Sequence, residues 1–194
     1  MNTSSNYTSN VISLGGSIAR NNFTAVLDAE GVECTLNGIT LGGGKQILDN
    51  HTVIDHAKPH GGSHQLYKAI LDGASKCIFN GKIFVKPDAQ KTDAKQTNKT
   101  LLLSDEATIN TKPQLEIFAD DVKCTHGATV GQLDDEQIFY LRTRGIGIDS
   151  ARAILTAAFA GDVTDRITID SLREQVEHLI LERLDNHHPV DRQT

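Results

Sequence analysis

The chain has 194 residues, 38% of them hydrophobic, and carries 25 acidic against 19 basic side chains for a net charge of -6. That is enough apolar material for one sizeable core. The acidic balance argues against nucleic acid or an anionic membrane as the main partner, and no apolar run approaches the ~20 residues of a membrane helix. Residues Met1 to Asn6 offer neither a basic region nor an apolar core, so no secretory signal is read there. Three irregularly spaced cysteines do not form a disulfide framework, and a reducing cytoplasm is the expected compartment.

From Val11 to about Val130 the apolar residues alternate in short runs, including Ile12/Leu14, Phe23/Ala25/Leu27, Val32/Cys34/Leu36, Leu101/Leu103 and Leu115/Ile117/Ala119. Gly, Asn and Asp punctuate them, as at Asn37-Gly38, Gly42-Gly43-Gly44 and Asn80-Gly81. This is the pattern of an all-β sandwich, barrel or solenoid. A weak repeat helps to choose. Residues 30–39 resemble residues 72–83, with a fainter copy at 105–110, and self-similarity with polar turns at equivalent points is what stacked coils produce. The favoured fold is therefore a parallel β-helix, with an antiparallel sandwich as the alternative. Residues 86–100 are polar throughout and read as a loop or a solvent-facing rung.

After Leu133 the apolar period becomes helical. Asp134 is an N-cap candidate with Gln137 at the capping-box distance, and Gly145 closes that helix. A second helix starts at Asp149, with Ala151, Ile154, Leu155, Ala158 and Phe159 on one face, and stops near Gly161. A third starts at Asp170 or Ser171, with Leu172, Val176, Leu179, Ile180 and Leu184 in the same spacing. The expected division is a β-helix over residues 1–132, a helical region over 133–185 and a flexible tail over 186–194.

The stretch from Val122 to Asp134 carries the chemistry. Val122, Cys124, His126, Ala128 and Val130 alternate, so a strand there puts Cys124 and His126 on one face, ~7 Å apart. A thiolate and an imidazole suit zinc, copper or iron, and two ligands need completion from elsewhere; a structural pair at the boundary is the equal alternative. Cys34 and Cys77 have apolar neighbours and read as packing residues. Residues 42–46 lack the spacing and the Ser or Thr of a phosphate loop. His51, His56, His60 and His64 raise zinc, and with it the alternative of a metal-dependent enzyme on a β-solenoid. Their spacing fits no known finger, and in a strand His51 and His56 face opposite ways.

The stretch Val122 to Asp134, followed by Phe139-Tyr140-Leu141-Arg142-Thr143-Arg144-Gly145-Ile146, resembles the carboxy-terminal signature of the SufB/SufD family of iron–sulfur cluster assembly proteins. Asp49-Asn50-His51-Thr52, Asn80-Gly81-Lys82-Ile83, the run from Pro87 to Gln96 and the run from Leu101 to Ala107 are similar to that family too. The order His126-Gly127-Ala128-Thr129 favours the SufD side of the family, because SufB has Glu after this histidine. The resemblance implies a right-handed parallel β-helix followed by helices, and a scaffold subunit rather than an enzyme. It implies pairing with SufB, docking of the SufC ATPase on the helices through Phe139, Tyr140, Arg144, Ile154 and Phe159, and a transient Fe–S cluster at His126 and Cys124 shared with the partner subunit. It assigns this chain no nucleotide site of its own. Family members carry a long amino-terminal region, so the chain is expected to be a piece that begins inside the β-helix, with an exposed first rung at which two copies could pair.

Overall fold

The computed structural model describes residues 3–187 and consists of stacked parallel coils followed by helices. The strands are β1 (Asn6–Ser13), β2 (Ile18–Leu27), β3 (Glu33–Gly42), β4 (Ile47–His56), β5 (Gly62–Leu71), β6 (Lys76–Val85), β7 (Asp93–Leu102), β8 (Thr108–Ile117) and β9 (Lys123–Gly131). Odd strands form one sheet in the order β1-β3-β5-β7-β9, and even strands form the other in the order β2-β4-β6-β8. Every pairing is parallel, and residues in register lie 27 to 32 positions apart, from Asn6 against Glu33 to Lys76 against Thr108. That is a two-sheeted β-solenoid. It excludes the antiparallel sandwich, because each strand bonds to the strand one full coil away.

The coil period explains the sequence repeat. Residues 30–39 enter β3 and residues 72–83 enter β6, which belong to different sheets. What repeats is a half-coil of turn plus strand, and Gly31 and Gly73 each take positive φ at the turn. Cys34 and Cys77 are accordingly not stacked on one another. Each is buried on the inner face of its own sheet, and all three cysteines are free.

Two layers of core follow from the alternation along the strands. Inside the coils, Leu27, Val32, Leu36, Ile54, Tyr67 and Phe79 pack together, with the Tyr67 and Phe79 rings 5.1 Å apart. Outside the odd sheet, Ile39, Leu41, Leu66, Ile70 and Leu101 form an apolar patch. Helices α2 (Ile148–Thr164) and α3 (Asp170–His187) cover it with Ala160, Val163, Val176, Ile180 and Leu184. They therefore clad the side of the solenoid and do not cap its end.

Three details depart from the sequence reading. The polar run at 86–100 is a turn over 86–92 and then strand β7 from Asp93, with Ala94, Gln96, Asn98 and Thr100 buried inward. Neighbouring coils supply some of the partners of these polar side chains, as where Asn98 Nδ2 donates to the Tyr67 carbonyl at 3.2 Å. Helix α2 continues past Gly161 to Thr164 and buries Ala151, Thr156, Ala160 and Val163, leaving Ile154 exposed. Helix α3 buries Val176, Ile180 and Leu184 but exposes Leu172 and Leu179, because it rests on a sheet and an adjacent helix along a narrow stripe. Helix α1 (Asp135–Thr143) starts as expected, with the Asp134 carboxylate accepting from the Glu136 N–H at 2.8 Å, and Gly145 follows it at φ 84. The tail at 188–194 lies outside the described residues.

Candidate functional site

The last coil ends on β9, the final strand of the odd sheet, with β8 as the final strand of the even sheet. Cys124, His126, Ala128 and Val130 pair in register with Ala94, Gln96, Asn98 and Thr100 of β7. The β7 row is buried, whereas His126, Ala128 and Val130 are exposed and Cys124 is half-buried. Cys124 and His126 do share one face, the inner one, at an end of the solenoid over which the described residues place no further strand.

The two side chains are in different states. Cys124 packs against the buried cluster of Ile83, Val85, Ala89, Ala94 and Ala119. Burial pushes its thiol pKa up, Asp93 adds to that, and a backbone hydrogen bond with Ala94 works the other way. Such a thiol stays protonated at neutral pH until a metal or a base removes the proton. His126 stands in the open with its imidazole accessible. Together they can supply one sulfur and one nitrogen ligand, half of a four-ligand set.

The four histidines between His51 and His64 are not brought together. His51 Nε2 lies 2.9 Å from the Asp49 carboxylate on the outside of β4, and His60 sits in a turn 3.9 Å from Glu30. His56 is fully buried with Nε2 2.8 Å from Ser63 Oγ, and burial lowers its pKa to about 4. His64 lies half-buried on the outer face of β5. Among the described residues, no group of three or more His, Cys, Asp or Glu could hold a metal ion.

Of the helix residues singled out, Phe139 is 67% exposed, Tyr140 57% exposed, and Arg144 and Ile154 also face solvent. Arg144 hydrogen-bonds the Tyr140 hydroxyl at 3.1 Å and lies over its ring. Phe139 and Tyr140 line an open groove with Leu141 and Leu155, rimmed by Asp134, Asp135 and Glu136. Phe159 is placed differently. It packs half-buried against the outer face of the sheet, beneath Lys68.

Sequence reasoning missed Lys68. It is 3% exposed, and its Nζ donates to the Phe159 carbonyl at 2.6 Å and to Asp162 at 2.5 Å. Burial lowers the Lys68 pKa, while the hydrogen bond from Lys68 holds the Asp162 carboxyl below its usual range. This fixes α2 to the middle strand of the odd sheet. The signal was a lysine between Leu66 and Ile70 in a strand that is otherwise almost wholly buried.

Comparison with known proteins decides the family. A family model described as SUF system FeS cluster assembly, SufBD core domain, matches residues 1–159. The chain belongs to the SufB/SufD family. It is 43% identical over 171 residues to the iron–sulfur cluster assembly protein SufD of Escherichia coli, covering 88% of this chain and 40% of that protein. It is 40% identical over 169 residues to an iron–sulfur cluster assembly SufBD family protein of Synechocystis, covering 87% of this chain and 37% of that protein. Protein ABCI7, chloroplastic, of Arabidopsis thaliana is 36% identical over 170 residues, or 86% and 35% of the two chains. The chain thus spans about two fifths of the length of these relatives. The match covers the solenoid, α1 and most of α2, and stops before α3. No helix among the described residues is long and apolar enough to cross a membrane.

Proposed function

We propose that this chain is the scaffold portion of a non-catalytic, cytoplasmic SufD-type subunit that pairs with a SufB subunit and holds a nascent iron–sulfur cluster between them. The observation that carries this is the open last coil. Its inner row of Cys124, His126, Ala128 and Val130 continues a row that is buried one coil below. A second solenoid adding its own strand would complete the backbone ladder and bury these side chains. Of the two last strands, β8 carries Pro113, which has no N–H to offer, and β9 carries no proline. β9 is the better edge for pairing.

The cluster is cargo, and the half-set of ligands suits a site built to assemble and release it. Cys124 gives up its proton on binding iron, His126 contributes a neutral nitrogen, and the partner supplies the remaining ligands. The groove at Phe139 and Tyr140, with Arg144 and Ile154 beside it, is the proposed docking face for the SufC ATPase. Lys68 joins that helical region to β5, so movement of the docked helices reaches the odd sheet that ends in β9.

The test uses the protein as it exists in cells. SufB and SufC should co-purify with it, and His126→Ala should lower Fe–S enzyme maturation in cells that depend on it. Normal maturation with His126→Ala would remove His126 from the cluster site, and loss of both partners from the purified complex would remove the scaffold reading.

A further inference from the structure

The apolar patch that α2 and α3 cover is continuous with a cavity of about 440 Å³ beside α1, because Leu103, Leu133 and Leu184 belong to both. The floor of that cavity is apolar. Leu103 comes from the turn between β7 and β8, Leu133 from the link before α1, Ile138 from α1 and Leu184 from α3. Thr156 of α2 adds a methyl group, since its hydroxyl already donates to the Arg152 carbonyl at 2.8 Å. Water on such a floor finds few hydrogen-bond partners, and an apolar side chain displaces it favourably. The volume falls within the ~300–1,000 Å³ of pockets that take ligands.

The rim has the opposite character. Asp105, Asp135 and Asp149 stand around it, all exposed, against one cation, Arg152. Among the described residues none of the three carboxylates takes part in an ion pair. An apolar floor under an acidic rim is complementary to an occupant with an apolar centre and cationic flanks. The wall has freedom to adjust to it. Helix α1 packs mainly on α2, and its connections contain Gly131, Gly145 and Gly147, where an added Cβ would meet nothing within 4 Å.

We propose that this cavity is a docking pocket for a segment of a partner protein in which a bulky apolar side chain is flanked by lysine or arginine. The apolar side chain fills the space between Leu103, Ile138 and Leu184, and the flanking cations lie against Asp105, Asp135 and Asp149. The pocket lies on the face of α1 that carries Ile138, whereas the groove described above lies on the face of Phe139 and Tyr140; the two share only Asp135. The pocket is thus a separate site and stands without the scaffold reading.

The test is methyl NMR on the full chain with labelled isoleucine and leucine, titrated with the end-blocked peptide Gly-Lys-Leu-Lys-Gly. The Ile138 and Leu103 methyl signals should shift and saturate at millimolar peptide. Gly-Glu-Leu-Glu-Gly, with the charges reversed, and Gly-Lys-Ser-Lys-Gly, without the apolar centre, should both bind more weakly. Asp105→Asn combined with Asp149→Asn should weaken the first peptide about fivefold, the worth of two exposed ion pairs. Ala153→Phe, which fills the cavity, should abolish the shifts. No shift of these methyls in wild type, or equal binding of the three peptides, overturns the proposal. Should Ala153→Phe not fold, the peptide series and the rim variant decide alone. Shifts of the same methyls that grow with protein concentration in the absence of peptide would make a second copy the occupant, and overturn it equally.

Discussion

Strands β7 and β9 are neighbours in one sheet, paired residue for residue and similarly polar, yet the inner row of β7 is buried and most of that of β9 is open. The difference lies in what stands on either side. β7 is flanked by β5 and β9, whereas β9 has only β7. In a solenoid each coil is covered by the next, so whether a residue belongs to the core or to a site depends on its coil number more than on its type. Gln96 and His126 occupy the same place in successive coils, and only the second can meet a partner.

The largest expected contrast is chemical. Cys34 and Cys124 lie in one inner row, joined through Ser63 and Ala94. Burial raises the Cys34 thiol to about 11 and the Cys77 thiol to about 12. Iodoacetamide should modify Cys124 roughly a thousandfold faster than either, since the other two react only when the core opens. Peptide mass spectrometry over time reads this, and equal rates would erase the distinction between closed and open coils. Next comes packing. Phe79→Ala should cost ~3–5 kcal/mol by urea unfolding, while Val130→Ala, inward but uncovered, should stay within ~0.5 kcal/mol in the unpartnered chain.

The third contrast is in acid. His56 has a folded pKa of about 4 against an ordinary 6.5. As pH falls through that window the unfolded chain takes up the proton first, so stability drops by up to about 3 kcal/mol. His56→Gln should flatten this part of the pH profile, and an unchanged profile would show that His56 is not held neutral. On the outer face, Asp162→Asn should cost about 1 kcal/mol in thermal unfolding, because the carboxylate is half-exposed and the buried Lys68 ammonium keeps the Phe159 carbonyl as a partner.

Much of the architecture was legible in the sequence, because alternation, turn glycines and the change to helical period are local signals. Asp134 and Gly145 bounded α1 as read. The strand half of the polar run before Leu101 was missed because composition alone cannot tell a solvated loop from a strand whose amides are bonded by neighbouring coils. The burial pattern of α2 also escaped, since it depends on where Lys68 and the outer sheet surface sit, 94 residues away in sequence from Asp162. The shared face of Cys124 and His126 followed from spacing, but their different exposure did not, because it requires knowing which coil is last.

The apolar patch beneath α2 and α3 has a consequence in time. It is assembled from Ile39 and Leu41 of β3, Leu66 and Ile70 of β5 and Leu101 of β7, so it comes into being only after three successive odd strands have stacked. Until then the helices have no surface on which to settle, and the loop that must close to bring Asp162 to Lys68 is long. The coils are therefore expected to fold first and the helices to dock last. In pulsed hydrogen exchange during refolding, amides of β3, β5 and β7 should gain protection before those of α2 and α3; earlier protection of the helices would reverse that order.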